Sequence, residues 1–245
     1  EIVMFWKKKN NNDIVFSSTI KGLPEINPIR ESKYFIPEWF KKAPAFPPGS
    51  NKLTEMPTVK RCPGFVDFFK VSYILPAWCD FHLKITENGA TPKTPGDNFS
   101  VTYHGAHQFS DYLPDHIKDN VKLAFKPACP WHVSTRKGIK LLELPLIHHY
   151  NPDFYAVGGL IDTYLFHEIN PILIFTKTGE FFIPRGTPLA MYIPIEPEKY
   201  NFIVQEYNEE VHSVMAKQMY ALNSTFNSKF RKLEKIEDDK EKNIG

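Results

Sequence analysis

The chain has 245 residues, 42% of them hydrophobic, which suits one large domain with a substantial core and excludes a disordered chain. Thirty basic and 28 acidic side chains leave a formal charge of +2, so no strong field exists to hold nucleic acid. Twenty Phe, 11 Tyr and 21 Pro favour pleated sheet broken by many turns over helix.

The opening EIVMFWKKKNNND places an apolar pentad before its charges, the wrong order for a signal peptide, so secretion by that route is not expected. Ile2–Trp6 and Ile14–Ser17 flank the Lys/Asn tip and predict a hairpin or two adjacent strands. Residues 21–57 carry seven prolines and read as an extended arm. Within the arm, IPEWFKKA predicts a short helix, with Glu38 in its first turn and Lys41 and Lys42 in its last. Trp39 and Phe40 are then expected to clamp the arm to the core.

Phe65–Lys70 predicts one helical turn. Trp78–Ile85 alternates, with Cys79, Phe81, Leu83 and Ile85 on one face and Trp78, Asp80, His82 and Lys84 on the other, as a half-buried strand does. Phe99–His104 alternates in the same way. A helical turn is expected at Leu113–Ile117, and strands at Val121–Phe125 and Trp131–Ser134. Lys137–Pro194 holds short apolar runs closed by Pro, Gly or Asn-Pro steps, and reads as five strands of one antiparallel unit.

After Pro197 the period changes. Tyr207, Val211, Met215, Met219, Leu222, Phe226 and Phe230 recur at three and four residues, predicting an amphipathic helix of about 30 residues that is suited to oligomerisation. About ten strands followed by one helix predict a mainly β fold. The expected form is an antiparallel double-sheet jelly-roll or cupin-like sandwich over 1–200, with a C-terminal amphipathic helix and charged tail over 201–245.

Three segments, KYFIPEWFKKAP at 33–44, TVKRCPGFVDFFKVSYILPAWCD at 58–80, and GGLIDTYLFHEINPILI running on to FFIPRGTPLAMYIPIEPEKY at 158–200, carry a family likeness. As a set they resemble a family of tailed-bacteriophage proteins, marine and cyanophage-type ones included, with bacterial relatives. The resemblance implies a viral origin and a β-rich, cupin-like fold, and brings no activity with it.

Nine histidines raise the question of a metal. A non-haem iron site needs two His and one carboxylate facing an open position. The candidates are Asp80, His82, His104 and His149, with Arg136 or Arg185 to hold a substrate carboxylate and Trp78 as part of a ligand face. The Asp80-x-His82 order is reversed from the usual His-x-Asp, and the competing reading makes these histidines surface or interface groups. Cys62, Cys79 and Cys129 lie far apart with no CxxC, which predicts reduced thiols. No apolar run reaches the ~18 residues of a membrane span.

These features predict a phage protein that works without a catalytic motif or cofactor, as a virion or assembly component. Its partners would be copies of itself or other virion proteins, in the virion or the infected-host cytoplasm, with no nucleic acid or membrane partner. A metal-dependent cupin-like enzyme using iron or another divalent ion is one alternative, and a ligand- or glycan-binding module is another.

Overall fold

A computed structural model describes residues 14–49, 57–87, 89–93, 101–104, 108–197 and 203–224, with side chains at all of these but 92, 93, 101, 102 and 220–224. Two compact units result: residues up to Lys42 together with Asp67–Pro197, and Ala43–Val66 together with the residues after Pro197.

The first unit is mainly β, and every strand pairing in it is antiparallel. It opens with β1 (Val15–Ser18), the short α1 (Leu23–Ile26), β2 (Arg30–Glu31) and α2 (Glu38–Lys42). The α3 helix covers Pro63–Val71. Then come β3 (Tyr73–Pro76), β4 (Phe81–Thr86), β5 (Gly89–Lys93), β6 (Val101–His104) and the one-turn α4 (Asp115–Lys118). The rest is β7 (Leu123–Pro127), β8 (Trp131–Ser134), β9 (Lys140–Leu144), β10 (Phe154–Ala156), β11 (Gly159–Ile161), β12 (Leu173–Phe175), β13 (Gly179–Ile183) and β14 (Pro188–Ile195).

These strands form sheets ordered β11-β9-β14-β3-β2, β10-β12-β7-β6 and β13-β4-β5, plus the pair β1-β8. In the largest sheet the last strand, β14, lies between the early β3 and the middle β9. That is a Greek-key connection rather than a meander, and it is how double-sheet sandwiches close. All four sheets contribute to one core, including Leu75, Phe81, Leu83, Phe125, Trp131, Leu141, Phe175 and Tyr192. Its centre is aromatic. Phe125 meets Phe81 at 5.7 Å and Phe175 at 6.3 Å between centroids, and Phe175 meets Phe154 at 5.6 Å. Edge-to-face and tilted rings of this kind add to the burial of their area.

The mainly β, sandwich-like expectation is borne out. The detail of Lys137–Pro194 is corrected: it forms six strands, β9 to β14, distributed over three sheets rather than one unit. Its turns pass successive strands to different sheets, and period alone does not reveal that. The short helix at Glu38–Lys42 forms as expected, with the Pro37 carbonyl accepting from Phe40 and Lys41 at 3.0 Å. Gly186, at φ 88°, turns the chain into β14. Strand β1 pairs with β8; the predicted strand Ile2–Trp6 lies outside the described residues.

In the second unit, Thr58 caps the 3₁₀ turn Val59–Arg61, its Oγ1 accepting from Lys60 N at 3.2 Å, and Arg61 lies over the Phe46 ring at 5.0 Å. The C-terminal helix is α5 (Glu209–Ser224), and Asn208 Oδ1 caps it by accepting from Val211 N at 3.0 Å. Glu209 and Glu210 complement the dipole at that end. The described helix is 16 residues long, and Phe226 and Phe230 of the predicted stripe lie outside the described residues. Among the described residues no helix is long and apolar enough to cross a membrane.

Candidate functional site

The four metal candidates occupy different settings. Asp80 Oδ1 accepts from Arg185 N at 2.7 Å and so pins the turn before β14. His82 is exposed on β4, its ring 4.4 Å from that of its cross-strand partner Phe182. His104 ends β6, and His149 follows the left-handed residue His148, at φ 68°. The Nε2 atoms of His104 and His149 are buried, with no hydrogen-bond partner among the described residues. Burial, and then the neighbouring His148, hold His149 below the ordinary imidazole range. Among the described residues no three His, Cys, Asp or Glu side chains are grouped to hold an ion, so the four do not converge.

The ligand-face candidates separate as well. Arg136 pairs with Glu196. Trp78 is 4% exposed and stacks edge-on against Phe81 at 5.3 Å, so it belongs to the core rather than to a ligand face. The alternation that placed it outward fails because the chain bends at 78–79 and the strand starts only at Phe81. A cleft of about 650 Å³ lies beside β5, β6 and the entry to β7. His104, Tyr103, Thr86 and Lys122 line it, and Lys122 is paired with Glu87 at 3.1 Å.

Two further features come from the geometry. One is a buried polar group. On β9, Leu141 and Glu143 share the inward face. Glu143 is 6% exposed and stands directly across from the wholly buried Tyr192 on β14. Burial pushes the Glu143 carboxyl up to about 7, with the neighbouring Tyr192 hydroxyl acting in the lowering direction against it. Among the described residues that hydroxyl makes no hydrogen bond of full geometry. Burial also pushes the Cys129 thiol far up, with Glu143 adding a smaller push, so it stays protonated and unreactive. The sequence signal for Glu143 was its parity with Leu141, masked by the apolar Leu142 and Leu144 on the other parity.

The other feature is an apolar surface. Strand β11 ends its sheet, and Leu160 on it is exposed. The turn that follows is built by Asp162. Its carbonyl accepts from Leu165 N at 3.2 Å and Phe166 N at 2.8 Å, and its Oδ1 accepts from Tyr164 N at 3.2 Å. Thr163 points inward and meets Thr135 Oγ1 at 2.8 Å. Beyond the turn, His167 pairs with Val133 through both its backbone carbonyl and its ring Nδ1, at 2.8 and 3.0 Å. The turn is thus anchored at both ends while Tyr164, Leu165 and Phe166 project outward, Leu165 being 76% exposed. On α5, Val211, Val214, Met215 and Met219 form an exposed stripe, and Tyr207 is exposed just before the helix. The Leu222 side chain lies outside the described ones.

No protein-family model matches the chain, and no curated protein matches it either.

Proposed function

We propose that this chain is a non-catalytic protein that acts through protein–protein contacts, as a self-associating virion or assembly component in the phage setting its sequence resembles. The observation that carries this reading is the anchored apolar turn beside the open edge of β11. Isolated exposed apolar residues are ordinary, but Leu160, Tyr164, Leu165 and Phe166 fall within seven residues, and aromatic anchors of this kind are enriched at interface centres. Edge strands are commonly blunted by Lys, Pro or bulges. The β11 sequence Gly-Leu-Ile carries no Lys or Pro and is blunted only by its length of three residues, and an antiparallel edge can pair with its own two-fold copy.

Light scattering on the full chain tests the reading. The wild type is expected above the 28.4 kDa monomer mass, and Leu165→Glu with Phe166→Glu is expected to return it to the monomer with the fold unchanged by circular dichroism. A monomeric wild type, or a double variant of unchanged assembled mass, sinks the proposal.

A further inference from the structure

Glu143 sits in a row that crosses the largest sheet. Its cross-strand neighbours are Tyr192 on one side and Gly159 on the other, so Gly159, Glu143 and Tyr192 share one face. Tyr192 closes the row from the core side. Gly159 leaves it open at the edge: among the described residues a methyl group there would meet nothing within 4 Å. A carboxyl in this position has the buried Tyr192 on one side and the open space at Gly159 on the other.

The groups that face it are few. From β14 comes the Tyr192 phenol, held protonated by burial and by Glu143 itself. From the loop before β8 comes the Cys129 thiol, also protonated. From β11 comes Gly159, with no side chain. Lys140 on its own strand reaches towards Asp162 instead, at 4.0 Å. Among the described residues no cation contributes to the proton affinity of the Glu143 carboxyl. A buried charge facing only a neutral hydroxyl and a neutral thiol is unfavourable, so the site favours the neutral acid over the carboxylate.

We propose that Glu143 is a proton-operated latch on the β9–β11 edge: the neutral acid lets the edge close, and the carboxylate draws water through the Gly159 gap and loosens β11 from β9. The carboxyl titrates near neutrality, so the latch switches over an ordinary pH range. The device needs no self-association, and its test does not read any.

Amide hydrogen exchange of the full-length chain, at about pH 5.5 and about pH 8 and corrected for intrinsic exchange, tests it. The latch predicts that protection in 140–144 and 159–161 falls roughly tenfold or more at the higher pH while β7 and β12 hold theirs. Glu143→Gln is expected to abolish that difference. A variant with the wild-type pH response overturns the proposal. If the variant does not fold, the wild type decides alone: a fall confined to the β9–β11 edge supports the latch, and no fall, or an equal fall in every sheet, overturns it.

Discussion

Strand β14 and helix α5 both carry a regular apolar pattern in sequence, and they end differently. In β14, Leu189, Ala190, Met191 and Tyr192 are all buried. Consecutive residues of a strand point to opposite faces, so this sheet is covered on both sides, which is why PLAMYIPI reads as a nearly continuous apolar run. In α5 the apolar residues recur at helical spacing, yet Val211, Val214, Met215 and Met219 remain 45–59% exposed. Pattern fixes which face of an element is apolar. What covers that face is decided elsewhere in the chain or by another chain.

The largest expected effect on the covered side comes from Phe125→Ala. It removes a wholly buried ring touching Phe81 and Phe175, and urea denaturation should show a loss of about 3–5 kcal/mol. A loss below about 1 kcal/mol would mean that the aromatic centre is not the core it looks to be.

Next comes Glu143→Gln. The folded carboxyl titrates near 7 and the unfolded one near 4.5, so the native state holds this proton more tightly. The burial cost is absent below the unfolded value, grows as pH rises through the window between the two, and is complete above about 7. The Gln variant should therefore be more stable than wild type by about 3 kcal/mol at about pH 8, and the advantage should vanish towards about pH 4.

The smallest effect on stability is expected on the uncovered side. Val211→Lys with Met215→Lys should leave the urea midpoint within about 0.5 kcal/mol of wild type while reducing any assembled mass. A loss above about 2 kcal/mol would show that the stripe is covered within the chain, and the contrast with β14 would collapse.

Much of the fold was legible because burial writes itself as period two. Phe81, Leu83 and Ile85 are buried on β4 between the exposed His82 and Lys84, as their alternation says. Trp131–Ser134 forms a strand with the expected bounds. The sheet to which each strand belongs was not legible. The pairing of β14 with β3 joins Met191 to Ile74, far apart in sequence, and no local pattern encodes it. The candidate sites were harder still. Histidine is conspicuous in a sequence, but a metal site depends on convergence in space, and Asp80, His82, His104 and His149 lie on segments that do not converge. Glu143 was inconspicuous because one carboxylate between leucines reads as a solvent-facing residue until the parity of the strand is known. Tyr164, Leu165 and Phe166 are a run of large apolar residues, yet they face solvent. Only the Asp162 turn, invisible to an apolar count, shows that Thr163 goes in and its neighbours go out.

That turn bears on how cheaply a contact can form and how long it lasts. Association usually costs about 0.5–1.5 kcal/mol for each side chain or loop segment that must be ordered. Here the backbone beneath Tyr164, Leu165 and Phe166 is already ordered by the Asp162 carbonyl, the Thr163–Thr135 pair and the His167–Val133 bonds. Any partner meets a preorganised surface. Complex formation should then need little loop rearrangement, and changes on this face should register mainly in the lifetime of the complex rather than in the rate of encounter.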